Sequence, residues 1–363
     1  MSKIKIAHII CDLLPGGGQK STIDLIRATN SEVKNFLILL EDKRSYEVDD
    51  IETLYICKNK KNYKRFDMLG DYLLSKKLSI LLKKYKIDIA ISHMEVTAKI
   101  LRFVNIPKIY YMRVDITQEL NTLKKRSFMR YLKRKILYEN IFSGQYLITI
   151  SQDTAKNISN FISPKKIETI YNPFDIESIK KLSLQKETIL PTDYIIQIGS
   201  GIKIKRQDIL LEAFSKISDK KIKLLLLGTE KNPKILDIVD KFDIRQRVIF
   251  HPFTKNPYPF IKNAKLLVVS SEREGLPRVI IESLILKTPV VSTDCDTGPR
   301  EIMTEELKPY LALLNNPSDL ANKIDLALEN YPNIEKKYIE KFNIASIRDK
   351  FLAYIKTPLK DYT

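Results

Sequence analysis

Apolar and polar positions alternate along the chain in a strand and helix rhythm that repeats from end to end. Buried strands are predicted for the short, β-branched segments "KIAHIIC", "NFLILL", "IDIAISH", "KIYYMRV" and "GQYLITIS". Helical spacing, as in "STIDLIRA", separates them, and a second series contains "YIIQIGS", "KIKLLLLGT", "RVIFHPF", "AKLLVVSS" and "TPVVSTD". This alternation predicts an α/β protein with parallel sheets covered by helices on both faces.

The length of 363 residues suits two domains rather than one. We predict Rossmann-like domains over 1–172 and 192–335, joined by a proline-containing linker over 173–191. The helical stretch 336–363 follows the second series and is expected to pack back on the first domain. Two such sheets are expected to face each other across an interdomain cleft at the carboxyl ends of their strands, where ligands of these folds usually bind.

Cysteines and histidines are few and scattered, which predicts reduced thiols and no structural metal. They are Cys11, Cys57, Cys295, His8, His93 and His251. The first apolar run is interrupted by Asp12 and predicts a strand rather than a signal peptide. Nowhere do about 18 apolar residues follow one another without a charged residue, so a membrane-spanning segment is not predicted. We therefore expect a cytoplasmic protein.

Positive charge is concentrated in one region of a chain whose net charge is +18. Residues 51–150 hold 21 Lys and Arg against 8 Asp and Glu. Within 123–142, helical spacing aligns Phe128, Leu132 and Ile136, with Met129 beside them, between seven cations: Lys124, Lys125, Arg126, Arg130, Lys133, Arg134 and Lys135. Such a helix fits an anionic membrane surface or, alternatively, a core-facing helix with a solvated lysine face. No nucleic-acid-binding signature accompanies it.

The glycine-rich stretch "LLPGGGQKST" lies between the first strand and the first helix. It fails the P-loop pattern, because Gln19 precedes Lys20, and it fails the dinucleotide pattern, because Ser21 replaces the third glycine. A strand-to-helix turn nevertheless presents backbone amides that favour an anion. A turn that merely needs glycine is the alternative interpretation.

The segment "SSEREGLPRVIIESLILKTPVVSTD" combines a loop and a helix with two glutamates eight residues apart. Pro277 marks the helix start, so Glu274 lies at an amide-rich helix end while Glu282 lies within the helix. A carboxylate accepts hydrogen bonds from a sugar diol, and helix amides bind phosphate. The pattern indicates a nucleotide joined to a sugar, although two surface glutamates would give the same spacing.

This segment resembles the E-x7-E region of the family 4 retaining glycosyltransferases, which commonly reads EG(L/F)(P/G)xVxxE(A/S) followed by PVV(S/A)TD. The tail "CDTGPRE" is similar to the branch that builds bacterial surface and lipid-linked glycans. "GGGQK", "LITIS", "IYNPFD" and "IGSGIKIKRQDILLEAF" are similar to other motifs of that branch, in the same order. The resemblance implies the GT-B fold, in which two Rossmann-like domains face a cleft.

The resemblance also implies roles for individual residues. Glu282 binds the nucleotide ribose, Lys205 pairs with the diphosphate, and Glu274 holds the donor sugar. The donor-binding set is completed by Gly275, Leu276 and Pro277 on the same loop and by Gly17 and Gly18 in the first domain.

Two positions depart from the family pattern. Ser200 stands where a phosphate-binding arginine is common, so Arg206 or Lys203 is expected to supply the second positive charge. Arg113 stands where many members place a histidine on the acceptor side. His93 is the nearby alternative, although a buried strand-end histidine fits it equally well.

By resemblance, the reaction is transfer with retention of anomeric configuration, and it needs no metal or cofactor. The donor is a UDP- or GDP-linked sugar. The acceptor is a glycan or lipid-linked glycan of capsule, lipopolysaccharide or O-antigen, at the inner face of the plasma membrane. A GT-B epimerase or phosphorylase, or an inactive sugar-nucleotide-binding protein, remains the alternative.

Overall fold

The computed structural model describes residues 3–57, 68–185, 193–199 and 203–362. The chain divides into two compact units. The first comprises Met1–Pro173 together with Ile344–Thr363, and the second comprises Phe174–Asn343.

The first unit is a parallel sheet covered by helices. Its strands are β1 (Lys5–Ile10), β2 (Lys34–Glu41), β3 (Thr53–Cys57), β4 (Ile89–Ser92), β5 (Lys108–Met112), β6 (Tyr146–Thr149) and β7 (Lys166–Thr169). Its helices are α1 (Gly17–Thr29), α2 (Met68–Tyr85), α3 (Glu95–Leu101), α4 (Ile116–Arg126), α5 (Phe128–Phe142), α6 (Gln152–Ser159) and, late in the chain, α15 (Ile344–Lys360).

The seven strands are all parallel, in the order β3-β2-β1-β4-β5-β6-β7. Helices α2, α3, α5 and α6 contribute to one core cluster on one face of this sheet. Helix α1 packs in a second cluster, against the alternate side chains of β1 and β2. Because side chains alternate along a strand, the two clusters lie on opposite faces, and both faces are covered as the sequence predicts.

The second unit repeats this plan with a smaller parallel sheet, in the order β10-β9-β8-β11-β12-β13. Its strands are β8 (Tyr194–Ile198), β9 (Lys223–Leu227), β10 (Val248–His251), β11 (Leu266–Val269), β12 (Val290–Thr293) and β13 (Leu311–Ala312). Its helices are α7 (Ile176–Leu182), α8 (Gln207–Lys216), α9 (Pro233–Lys241), α10 (Tyr258–Asn263), α11 (Arg278–Ile285), α12 (Pro299–Ile302), α13 (Pro317–Glu329) and α14 (Lys337–Glu340). Short 3-10 turns occur at Lys203–Lys205, Arg245–Arg247 and Glu305–Tyr310.

Two stretches of the chain differ in detail from the sequence pattern. The basic segment 123–142 is divided between α4 and α5, because Ser127 adopts an extended conformation with φ −164° and ends the first helix. The final helical region is likewise divided between α14 and α15. Between 173 and 191, residues 176–182 form α7, which packs on α10 and α11.

Candidate functional site

The loop between β11 and α11 holds Glu274 in hydrogen bonds from two side chains of the second unit. Its Oε1 atom accepts from Lys205 Nζ at 2.7 Å and from Ser271 Oγ at 2.7 Å. The Glu274 side chain is 14% exposed and that of Lys205 is 28% exposed. Because the two side chains are partly buried, dissolved salt screens the attraction between them less than at the open surface. The fold therefore brings together two predicted residues that are 69 positions apart.

Partly buried hydrogen bonds fix the backbone that carries Lys205. Its carbonyl oxygen accepts from Gln197 Nε2 at 3.2 Å and from Ser270 Oγ at 2.7 Å. Gln197 is at the end of β8 and Ser270 directly follows β11. The lysine stem passes over Gly199, where an added Cβ would lie 3.3 Å from Lys205 Cε. The ammonium group is thus placed by the ends of two adjacent strands.

Gly298 closes the turn next to the Glu274 loop and was given no role in the sequence analysis. It has φ +92°, and an added Cβ would lie 2.7 Å from the Gly275 oxygen and 2.9 Å from Pro277 Cδ. The preceding Thr297 donates from Oγ1 to the Glu274 carbonyl oxygen. The predicted donor residues Gly275 and Pro277 therefore lie against a backbone position that only glycine fits without a shift.

The second positive charge expected near the diphosphate is paired within the second unit. Arg206 caps α8 in the left-handed conformation, with φ +45°. Its guanidinium donates to Asp208 at 2.8 Å and also contacts Asn315. Ser200 and the Lys203 side chain lie outside the described residues. The structure therefore brings Lys205 to Glu274, whereas the Arg206 guanidinium pairs with a carboxylate two residues along the chain.

Glu282 is buried in α11 and pairs with a residue that the sequence analysis missed. Arg278 Nε donates to Glu282 Oε1 at 3.3 Å, and both side chains are 8% exposed. The Arg278 guanidinium lies 4.3 Å from the ring centroid of Phe174. The helical i, i+4 spacing is the signal that would have found this pair. Buried pairs of this kind are sensitive to removal of one partner.

In the first unit, Gly17 and Gly18 begin α1, which follows β1 after a six-residue loop. A Cβ added to Gly18 would meet no described atom within 4 Å. Lys20 forms an i, i+4 ion pair with Asp24 at 2.8 Å. The lysine is therefore held by its own helix, and the backbone at Gly18 is open to the approach of another group.

Arg113 and His93 are brought together at the carboxyl edge of the first sheet. An Arg113 guanidinium nitrogen lies 3.0 Å from His93 Nδ1 and 3.3 Å from Thr22 Oγ1 on α1, and the guanidinium also donates to Asn172. Burial and the nearby Arg113 charge hold the pKa of His93 well below its ordinary value. Arg113 is half-buried and His93 is 1% exposed. The environment of His93 is that of a buried strand-end histidine.

The apolar stripe of α5 faces outward, so the core-facing interpretation does not describe it. Phe128 and Met129 are each 63% exposed, Ile136 48% and Leu132 38%. Among the nearby cations, Arg134 bridges Glu95 at 2.7 Å and Glu119 at 2.8 Å, whereas Arg130 and Lys133 are exposed.

Helix α2 presents a similar surface on the same face of the first sheet. Leu69, Leu73 and Ile80 are 64%, 57% and 69% exposed, and Lys76 and Lys77 lie exposed among them. None of the helices within the described ranges is both long enough and apolar enough to cross a bilayer. Each of the two helices thus presents an apolar and basic outer surface on the same face of the sheet.

Comparison with protein families gives a match over the part of the chain that carries Lys205, Glu274 and Glu282. Residues 179–343 match the family described as glycosyl transferases group 1. The match covers nearly all of the second unit. This confirms the family indicated by the sequence motif around Glu274 and Glu282.

Relatives in sequence are glycosyltransferases too. An uncharacterized glycosyltransferase of Methanocaldococcus jannaschii is 30% identical over 249 residues, which is 64% of this chain and 61% of that protein. The chain thus spans less than two thirds of this relative. A second relative is 24% identical over 373 residues, 97% of this chain and 99% of its own: the Campylobacter jejuni N-acetylgalactosamine-N,N'-diacetylbacillosaminyl-diphospho-undecaprenol 4-alpha-N-acetylgalactosaminyltransferase.

Solved structures extend the likeness over the whole chain. Anabaena HepE in complex with UDP and glucose gives a TM-score of 0.75 at 17% identity, covering 98% of this chain and 100% of that one. Staphylococcus aureus TarM, solved with UDP, gives 0.76 at 16% identity, covering 98% and 100%. The GT-B fold expected from the sequence is confirmed.

Proposed function

We propose that the protein transfers a sugar from a nucleotide-diphosphate sugar to a glycan or lipid-linked glycan acceptor in the synthesis of a bacterial surface polysaccharide. The observation that carries this proposal is the Lys205–Glu274 pair at 2.7 Å beside α11 of a group 1 domain. The Campylobacter relative, whose name specifies a diphospho-undecaprenol acceptor, supports the choice of acceptor class.

Each site residue has a part in the proposed transfer. Breaking the bond between sugar and phosphate builds negative charge on the leaving diphosphate, which the Lys205 ammonium and the amides at the start of α11 stabilise. Glu274 holds the sugar hydroxyls and keeps Lys205 in place until the donor arrives. Glu282 accepts hydrogen bonds from the ribose, in exchange for its present contact with Arg278.

We further propose that the transfer retains the anomeric configuration and needs no metal. The acceptor hydroxyl attacks from the side of the leaving phosphate, and a phosphate oxygen takes its proton. Lys205 and the α11 amides then provide the positive charge that a metal provides in other transferases. The anomeric coupling constant of the product and the rate in excess EDTA test these two features; an inverted product or loss of activity in EDTA would contradict them.

The test of the assignment compares two lysines of the same unit. Lys205→Met should lower transfer from UDP- or GDP-linked sugars about 100-fold, because a transition-state charge contact is lost. Lys216→Met is the matched control, since Lys216 forms a surface ion pair with Glu212 at 2.8 Å in α8. Donor hydrolysis or epimerisation without transfer to any acceptor would favour a non-transferring relative, and equal rates for the two variants would refute the assigned site.

We also propose that the outer surface formed by α2 and α5 contacts an anionic membrane, where a lipid-linked acceptor would lie. Exposed apolar side chains insert at the interface, and cations such as Arg130 and Lys133 contribute about 1 kcal/mol each near anionic lipid.

Vesicle co-sedimentation tests this contact. Arg130→Glu with Lys133→Glu should weaken binding to phosphatidylglycerol vesicles, while Lys220→Glu with Lys221→Glu makes the same charge change on the second unit and should weaken it less. Arg134 is left intact because it bridges Glu95 and Glu119. Equal loss in both double variants would contradict a contact at α5.

A further inference from the structure

A chain of side-chain hydrogen bonds crosses four adjacent strands of the first sheet. Asn35 lies on β2, His8 on β1, His93 directly after β4 and Arg113 directly after β5, which is the order of these strands in the sheet. Asn35 Oδ1 is 3.0 Å from His8 Nε2, His8 Nδ1 is 2.9 Å from His93 Nε2, and His93 Nδ1 is 3.0 Å from the Arg113 guanidinium. The chain of hydrogen bonds runs from near the amino end of β2 to the carboxyl ends of β4 and β5.

The direction of every hydrogen bond is fixed by the two ends of this chain. A guanidinium only donates, so His93 Nδ1 must accept and its proton lies on Nε2. His93 then donates to His8 Nδ1, and His8 donates from Nε2 to Asn35 Oδ1. At the other end, Asn35 Nδ2 donates at 3.2 Å to the carbonyl oxygen of Ile26, which only accepts.

We propose that His8 and His93 are positioning residues that hold the Arg113 guanidinium at the carboxyl edge of the first sheet, where it binds the anionic part of the acceptor. The assignment of Arg113 to the acceptor rests on the proposed transferase function. The chain of hydrogen bonds itself does not.

Neutral histidines are essential to this arrangement, because a second ring proton on His93 would face the guanidinium. His8 and His93 are 0% and 1% exposed, and burial lowers the pKa of His8 to about 4. Among the residues that the structure describes, the charge that acts on the pair is that of Arg113. The titratable Tyr111 ring on β5 has its centroid 5.4 Å from that of His93. Helix α15 contributes the uncharged Phe351 ring, 6.1 Å from that of His8. Both imidazoles therefore remain neutral through the physiological range.

Nitrogen NMR of histidine-labelled full-length protein tests the chain without an activity assay. Only three histidines are present, so long-range proton–nitrogen spectra from pH 5 to 8 resolve each ring. His8 and His93 should both carry their proton on Nε2 and should not titrate. His251, whose Nδ1 lies 2.8 Å from the carbonyl oxygen of Pro252, should carry its proton on Nδ1. A proton on Nδ1 of His93, or its titration near pH 6.5, would overturn the proposal.

Variants of His93 test whether the hydrogen bond to Arg113 contributes to catalysis. His93→Leu removes the acceptor for the guanidinium and should lower kcat/KM for the acceptor about tenfold or more, the usual scale of one charge-assisted hydrogen bond. His93→Gln offers an amide oxygen in its place and should recover most of the loss, while the affinity for the nucleotide stays unchanged in both. Phe351→Leu is the packing control, because it alters a ring beside His8 but removes none of these hydrogen bonds.

Asn35→Asp tests the chain at its far end. The new carboxylate would face His8 Nε2 and favour the doubly protonated, charged form of His8. The added proton on His8 Nδ1 would then point at the proton on His93 Nε2. His93 must then move its own proton to Nδ1 and lose the bond from Arg113. We expect a pH-dependent fall in acceptor kcat/KM that Phe351→Leu does not show.

The outcomes separate this inference from the proposed function. If NMR shows the expected tautomers but no acceptor receives a sugar, the proposed transferase function and the acceptor role of Arg113 are refuted. The hydrogen-bond chain is then still supported. Normal transfer in His93→Leu would refute the positioning role and leave the transferase standing.

Discussion

Replacing Gly298 by alanine is expected to damage the donor site through backbone geometry alone. At φ +92° an alanine is strained, and its Cβ would lie 2.7 Å from the Gly275 oxygen and 2.9 Å from Pro277 Cδ. The strained conformation costs about 1 to 3 kcal/mol, and relief of the overlap with a backbone oxygen adds about 1 kcal/mol or more. We therefore expect a loss of about 2 to 4 kcal/mol from the free energy of unfolding of the second unit.

Gly144→Ala provides the matched control. Gly144 also has positive φ, at +69°, but a Cβ there would meet nothing within 4 Å. Both variants place a side chain at positive φ, and only Gly298→Ala adds the overlap with the Glu274 loop. Hydrogen exchange measured by mass spectrometry resolves the two units, and calorimetry with UDP or GDP measures nucleotide affinity.

The two glycine variants should separate in both measurements. Gly298→Ala should accelerate exchange in the second unit and weaken nucleotide binding about tenfold or more, as the loop shifts by some tenths of an ångström. Gly144→Ala should affect exchange in the first unit alone. If Gly298→Ala were no less stable than Gly144→Ala and bound nucleotide as wild type does, the steric reasoning would be wrong.

Further predictions concern single side chains. Glu282→Ala should cost about 3 kcal/mol of stability by removing one charged partner of the buried Arg278 guanidinium, whereas Glu282→Gln should retain more of it and still lose ribose affinity; equal melting temperatures for the two would contradict the buried pair. His8 has a folded pKa of about 4 against an ordinary 6.5, so the unfolded chain binds more protons between these values. The shift of His8 alone should therefore lower stability by up to about 3 kcal/mol as the pH drops from 6.5 to 4, and the lowered pKa of His93 should add to this fall. His8→Asn should flatten that part of the urea unfolding profile, and an unchanged profile would refute the assignment.

Local patterns predicted the elements of this fold more fully than they predicted its contacts. The runs "KIAHII" and "KLLLL" became β1 and β9 because apolar, β-branched or leucine-rich segments flanked by turns suit buried strands. The break at Ser127 was missed because the apolar stripe continues on the helix that follows. Serine favours helix ends, which is the only signal for it in the sequence.

Contacts between residues far apart in the sequence were harder to predict. His8 and His93 are 85 residues apart, and no local pattern relates them, because strand order in the sheet decides which residues become neighbours.

The return of the chain to its first unit has a consequence for biosynthesis. Tyr354, on α15, donates to the Leu147 carbonyl oxygen at 2.8 Å and to that of Lys166 at 3.0 Å, joining β6 and β7 to the last helix. A ribosome therefore releases all of the second unit before the first receives its final helix. During synthesis the first sheet lacks the helix that joins β6 and β7 while the second unit is made, so the second unit has all of its residues before the first has all of its own.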